Sequence, residues 1–404
     1  MGGVNWTGFY FGADITRDYA TAFYKRPFDA TLSDVSLAKM GSSTGVGGYV
    51  GYNYQISPWA VVGVEASANW LGSNLVEHGA SIDFLQYVDR MYAVTGRFGV
   101  LAGPDTLVYA KAGPAWLGVS GVQGFGEGFS TTLEGVQAGL GIETMVSSNV
   151  ALRAEASYTT ATRTLVLNSG SDRYVPSILM LQFGAEYRFD APAGWGARST
   201  VESVPPPAWT GFEVGGFLAL NGDQGLYSDK NLGDSGPYGR LAVGLGAFVG
   251  ANYQFAPRYV VGAEVSGNYD HVVLANAAGQ NGYLGVVYDY GTVESVWAAT
   301  GRVGWLATPS SLIYVKGGAA WIVTSTNFPY WNNVAPNHTG QKTLPGYQVG
   351  LGVETFVTRN ISVRGEGLYT EATGKTILDG NIVAKQFAIR PSVLTATASV
   401  AVHF

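Results

Sequence analysis

Six charged residues interrupt otherwise apolar stretches: Glu65, Arg97, Lys111, Glu143, Arg153 and Glu155. Each sits among small or apolar neighbours, as in Val64-Glu65-Ala66 and Ala110-Lys111-Ala112. The same six types return as Glu264, Arg302, Lys316, Glu354, Arg364 and Glu366. Successive side chains of an extended chain point to opposite sides, so charges alternating with apolar residues share one face. Such a set suits two kinds of chemistry. It can line an ion-selective pore, or it can form a mutual network that fills a solid interior. A charge taken out of water costs several kcal/mol unless it is paired. With three acids and three bases in each set, a balanced network is the expectation.

Other patterns carry less. Gly41-Ser42-Ser43-Thr44-Gly45 spells a nucleophile elbow, but an elbow needs a buried strand before it and a helix after it. Here a polar segment precedes it and an alternating one follows. The glycine pairs 45/47 and 139/141 have no helix after them to complete a phosphate loop. His78, His271, His338 and His403 are scattered, whereas a zinc site needs clustered ligands. Asn337-His338-Thr339 is a glycosylation sequon by spelling only. No catalytic constellation, cofactor site or metal site is expected, and the chain does not read as an enzyme. The aromatic segment 328–334 (FPYWNNV) suits either contact with an outside partner or folding back over its own barrel.

The elements that carry the charges follow from composition. Of 404 residues 47% are hydrophobic and 13% charged, about half the usual charged share. No run of eighteen apolar residues supplies a transmembrane helix. The apolar residues alternate instead with Gly, Ser, Thr and Asn, as in the wall of a transmembrane barrel. The 24 Tyr and 10 Trp could furnish interfacial girdles. Without Cys there is no disulfide framework, and a net charge of −6 argues against a nucleic-acid partner. Residues 1–6 have no apolar leader, so a signal peptide is expected to be cleaved ahead of them.

The chain repeats itself. Trp6-Thr7-Gly8-Phe9 returns as Trp209-Thr210-Gly211-Phe212, and 45–70 returns as 244–269. Thr95–Trp116 matches Thr300–Trp321, Gln137–Thr160 matches Gln348–Glu371, and the closing segments end at Phe189 and Phe404. Residues 190–207 (DAPAGWGARSTVESVPPP) lack any period and read as a linker. The domains expected are therefore a barrel over 5–189, a periplasmic linker over 190–207 and a second barrel over 208–404.

Eight alternating segments are predicted in each unit, near 6–15, 45–55, 60–70, 92–101, 106–117, 135–145, 150–160 and 178–189. Their counterparts lie near 209–218, 244–254, 259–269, 297–306, 311–323, 347–356, 361–370 and 392–404. Turns at 56–58, 102–105 and 147–149 are short, while 16–44, 71–91, 118–134 and 161–177 are long. Short periplasmic turns alternating with long external loops are the signature of an outer-membrane barrel. In the last strand Leu394, Ala396, Ala398, Val400, Val402 and Phe404 form the outward face, and Leu179, Leu181, Phe183, Ala185, Tyr187 and Phe189 form it in the first unit. The inward glycines 45, 47, 51, 99, 139 and 141 would let long charged side chains cross the lumen. The fold class is all-β, a pair of tandem eight-stranded antiparallel up-and-down transmembrane barrels. The alternative is a single sixteen-stranded barrel.

The motifs WTGFYFGA (6–13), VGYNYQ (50–55), GRFG (96–99), VQAGLGIE (136–143) and EASYT (155–159), with the closing aromatic, resemble a known family. They are similar to the α-proteobacterial outer-membrane barrels of the Omp25/Omp31, opacity-protein-like porin family, over all but the long loops. The resemblance implies an eight-stranded barrel, a role in envelope integrity, and insertion by the barrel-assembly machinery through Phe404. The departure from the family is the duplication. The expected function is structural, with charge-plugged lumens in the bacterial outer membrane and both termini periplasmic. Expected partners are membrane lipid, lipopolysaccharide and the assembly machinery, with self-association or neighbouring envelope proteins besides. A porin-like channel for small solutes and a loop-based recognition or adhesion module are the alternatives.

Overall fold

The computed structural model describes residues 5–25, 37–78, 83–123, 127–167, 172–189, 208–229, 233–278, 287–328, 338–379 and 386–404. The linker 190–207 and the aromatic residues 329–334 lie outside them. Every described element is a strand. The first unit contains β1 (Gly8–Lys25), β2 (Leu37–Ser57), β3 (Ala60–His78), β4 (Asp83–Gly103), β5 (Thr106–Gln123), β6 (Glu127–Met145), β7 (Val150–Ala161), β8 (Leu165–Leu167) and β9 (Asp172–Arg188). The second contains β10 (Gly211–Asp229), β11 (Gly233–Ala256), β12 (Tyr259–Ala278), β13 (Val287–Thr308), β14 (Ser311–Phe328), β15 (His338–Phe356), β16 (Ile361–Ala372), β17 (Thr376–Asp379) and β18 (Gln386–His403).

Each unit closes on itself. Consecutive strands pair antiparallel, β8 and β17 being short continuations of the seventh wall strand. β9 returns to β1 with Arg188 opposite Tyr10, and β18 returns to β10 with His403 opposite Glu213. Backbone bonds from Phe189 to Phe9 and from Phe404 to Phe212, both 2.9 Å, seal the two rings. An open sheet in hydrocarbon would leave a row of unpaired N–H and C=O groups at several kcal/mol each. Two closed rings remove that cost, and no ladder among the described residues joins β9 to β10. The sixteen-stranded arrangement is not the one observed.

The short turns work as hairpin closures. The Ser57 hydroxyl accepts the amide of Ala60 at 3.0 Å, and Val146 and Ser147 both donate to the carbonyl of Val150. Exposed Phe9, Phe11, Trp59, Tyr187 and Phe189 ring the short-turn end of the first barrel, while Trp70, Tyr92 and Trp116 mark a second belt farther up. Aromatic residues of this kind sit at membrane–water interfaces.

The strands are longer than alternation predicts. β2 has 21 residues and β11 has 24, where about ten suffice to cross hydrocarbon. Much of 16–44, 71–91, 118–134 and 161–177, read from sequence as loop, is thus hairpin arm. Beyond the apolar band the outer face meets water in place of lipid, so the hydropathy period disappears while the backbone ladder continues. Gly41–Gly45 lies in β2, paired with residues 16–20 of β1, and forms no elbow.

The two barrels lie side by side, and this covers part of the wall read as lipid-facing. Leu179, Leu181, Leu394 and Ala396 do point away from their lumens, but they are buried. Tyr19, Leu181, Leu394 and Ala396 form one cluster across the seam, and Ile142, Ala154 and Val353 form another. At the short-turn end the Thr106 hydroxyl lies 2.9 Å from that of Ser311. Higher up, the Tyr19 hydroxyl lies 3.0 Å from that of Ser392.

Candidate functional site: the filled lumen

The interior of each barrel is layered. At the short-turn end Trp6, wholly buried, packs on Val61, Leu101, Leu107 and Met145 as a plug. Gly8 makes this possible: with φ of 143° it turns the chain from the plug into β1, a backbone conformation that side-chain-bearing residues rarely adopt. Trp209 and Gly211 (φ 151°) repeat the device against Leu306, Leu312 and Phe356. At the other end of the first lumen Met91, Leu117, Val119, Ile178 and Met180 pack together. Val293, Ile322, Leu344 and Val393 form the corresponding layer of the second.

Between these layers lie the twelve charged residues read from the sequence, none more than 8% exposed. In the first barrel Glu65 is the hub, meeting Arg153 at 2.7 Å, Lys111 at 2.9 Å and Arg97 at 3.3 Å. Arg97 also reaches Glu143 at 2.7 Å, and Lys111 reaches Glu155 at 2.7 Å, where Arg153 pairs as well. In the second barrel Arg364 is the hub, touching Glu264 at 2.6 Å and Glu354 at 3.2 Å, with Glu366 at 4.0 Å. Arg302 holds Glu354 at 3.0 Å, and Lys316 bridges Glu264 and Glu366 at 2.8 and 2.9 Å.

Aromatic rings complete the layer. Arg97 lies over Tyr109 at 3.9 Å, Arg153 over Tyr49 at 4.2 Å and Arg364 over Phe248 at 4.2 Å. Guanidinium groups stack well on such faces. Two of the inward glycines make room for aromatic rings. A Cβ on Gly51 would strike the Tyr10 ring, and one on Gly141 would strike Tyr109.

The network extends beyond these twelve residues. Arg188 pairs with Glu186 at 3.0 Å and approaches Glu143 at 3.8 Å, which adds one acid and one base to the first barrel. Glu213, which replaces Tyr10 in the repeat, meets Arg302 and Arg364 at 2.9 Å each. The second layer therefore has four acids to three arginine and lysine residues, so the even balance expected there does not hold. His403 takes the place of Arg188 and lies 3.0 Å from Glu354. Inward parity in the WTGFE segment was the signal for Glu213. The ligand atoms of Glu213, Glu354 and His403 fall within 4.8 Å of one another, a group the sequence did not reveal. Both carboxylates are already held by arginines, so the trio belongs to the ion-pair layer. Of the other histidines, His271 pairs with Glu294 at 2.6 Å, and the side chains of His78 and His338 lie outside those described.

The fold and interior define a class: antiparallel barrels apolar outside, polar and filled inside, as in proteins of bacterial outer membranes. The family model for the outer membrane protein β-barrel domain matches residues 2–189. The 22 kDa outer membrane protein of Rhizobium leguminosarum bv. viciae is 33% identical over 173 residues, which cover 42% of this chain and 68% of that protein. The 31 kDa outer-membrane immunogenic protein of Brucella melitensis is 28% identical over 193 residues, covering 45% and 78%. Among solved structures, the attachment invasion locus protein Ail of Yersinia pestis is 17% identical over 47% of this chain and all of that one, with a TM-score of 0.27. The chain belongs to the outer-membrane β-barrel family of these α-proteobacterial proteins, and it is an outer-membrane protein.

Proposed function

We propose that this protein is a structural element of the outer membrane, two solid barrels that occupy and brace the bilayer without conducting solute. The observation that carries this reading is the filled lumen, an ion-pair layer held between a Trp plug and an apolar cap. Eight strands enclose only enough space for side chains, and here paired charges and aromatic rings fill it. The short turns face the periplasm, and the longer strand ends face outward. Partners are lipid, lipopolysaccharide and the barrel-assembly machinery, with Phe404 as the assembly signal. The chain carries out no catalysis. Purified protein in a planar bilayer should give no stable porin-sized current. Large current steps that vanish when the protein is denatured would overturn the solid-barrel reading in favour of a channel.

A second reading rests on the strand lengths. Arms about twice as long as the hydrocarbon requires would hold the outer loops well clear of the bilayer, where they can meet neighbouring proteins or glycans. Removing the loop tips should then abolish binding to such a partner and leave the barrel intact.

A further inference from the structure

The contacts across the seam are not arbitrary. Repeat spacing makes Thr106 the counterpart of Ser311, Ile142 of Val353, Leu181 of Ala396, Tyr19 of Gly222 and Lys39 of Tyr238. In every one of these pairs the residue meets its own counterpart. Thr106 bonds to Ser311, and Ile142 and Val353 share a cluster. Leu181 and Ala396 share another, and the backbone of Lys39 pairs with that of Tyr238. A Cβ on Gly222 would come within 2.7 Å of the Tyr19 ring. Contact between equivalent residues is the mark of a two-fold interface. From the short-turn end upward these pairs fall on β5, β6, β9, β1 and β2, the sequence in which a line along the barrel axis crosses tilted strands. The axis therefore runs along the barrels, and both point the same way.

The two sides of the seam differ in volume. The first unit presents Tyr19, Phe183 and Leu181, where the second has Gly222, Ala398 and Ala396. The knobs enter gaps left by glycine. Tyr19 lies over Gly222, Phe183 lies over Gly367, whose Cβ would stand 2.9 Å from the ring, and Ile142 lies 3.4 Å from a Cβ placed on Gly365. Two first units would bring Tyr19 against Tyr19, and two second units would leave the gaps empty. Overpacked and underpacked contacts both weaken association.

We propose that the seam is a self-recognition interface whose partner is a copy of the same barrel unit, with a knob-and-socket asymmetry that selects a second unit over another first unit. The seam, and not the linker, holds the barrels together. To test this, a protease site is placed within 190–207 of the full chain, which is refolded in detergent and then cut. The cut parent should elute as one species that contains both halves, at the position of the uncut chain. Gly367→Val, which fills a socket, should raise the concentration needed for pairing about tenfold or more, and adding Phe183→Ala should restore most of it. Tagged first halves mixed with untagged ones after cutting should not pair with each other. Cut halves that separate while each remains heat-modifiable would overturn the proposal, as would a double variant no better than Gly367→Val alone or free pairing of first halves. If Gly367→Val does not fold, Thr106→Cys with Ser311→Cys decides, since the chain has no other cysteine. Oxidation should leave the cut halves joined on a non-reducing gel, and failure to cross-link refutes the seam.

Discussion

Glu65→Gln and Glu264→Gln are the same substitution at equivalent places, yet their consequences should differ. In the first barrel Glu65 faces Arg97, Lys111 and Arg153 within 3.3 Å, in a layer of four acids and four bases. Neutralising it leaves an uncompensated buried cation, and breaking a buried network in this way costs about 3–5 kcal/mol. In the second barrel Glu213 makes the acids outnumber arginine and lysine by one, so Glu264→Gln leaves three acids to three arginine and lysine residues, with His403 beside Glu354. Lys316 keeps Glu366, and Arg364 keeps Glu213 and Glu354. The cost should fall to about 1–2 kcal/mol, the loss of charged hydrogen bonds with no stranded charge. Because the chain has no Cys, a single cysteine at exposed Ser148 or Arg359 can carry a fluorophore reporting one barrel at a time. Urea unfolding in lipid vesicles then gives each midpoint. Equal shifts in the two barrels, or a larger one for Glu264→Gln, would refute the charge-balance reasoning.

Two further outcomes are expected. Trp6→Ala should destabilise the first barrel by about 3–5 kcal/mol through the cavity it leaves, and Trp209→Ala the second by as much. Each effect should appear only in the urea midpoint of its own barrel, and a shift shared by both would mean that the plugs do not act locally. Residues 1–189 and 208–404, refolded separately in detergent, should each give a β-rich circular dichroism spectrum and a heat-dependent gel mobility, since each ring satisfies its own edges. If neither forms a compact species while the full chain does, ring closure depends on the other unit.

The wall was legible from the sequence because a membrane enforces period-2 alternation wherever one face meets lipid and the other the lumen. That is how Glu65 or Arg364 can be put on an inward face without coordinates. Where water replaces lipid the constraint lapses, so the outer halves of β1 to β4 look like loop. Trp6 was visible as a repeated letter, but the alternation read over 6–15 put it in the first strand, whereas β1 begins only at Gly8 and Trp6 turns inward ahead of it. Inward parity places Glu213 and His403 in the lumen, but their effect on the balance of charge shows only when the copies are compared position by position. The seam leaves no trace in hydropathy: Leu181 and Ala396 are outward and apolar whether lipid or protein covers them.

Ring closure has a kinetic consequence. The first strand of each unit pairs with its last, so the bond that ends the open state joins remote parts of the chain. Arg188 donates to the carbonyl of Trp6 at 2.6 Å across 182 positions. Contacts between such distant residues form slowly, because chain entropy must be spent before they give anything back. Until β9 arrives, β1 has an unsatisfied edge, and every intermediate is an open sheet able to pair with the wrong neighbour. In a tandem chain the wrong neighbour is covalently attached: β10 follows β9 and could take the place of β1. β9 meets β1 in continuous register from Tyr10 to Lys25, and no ladder among the described residues joins it to β10. The closing strand is satisfied within its own unit.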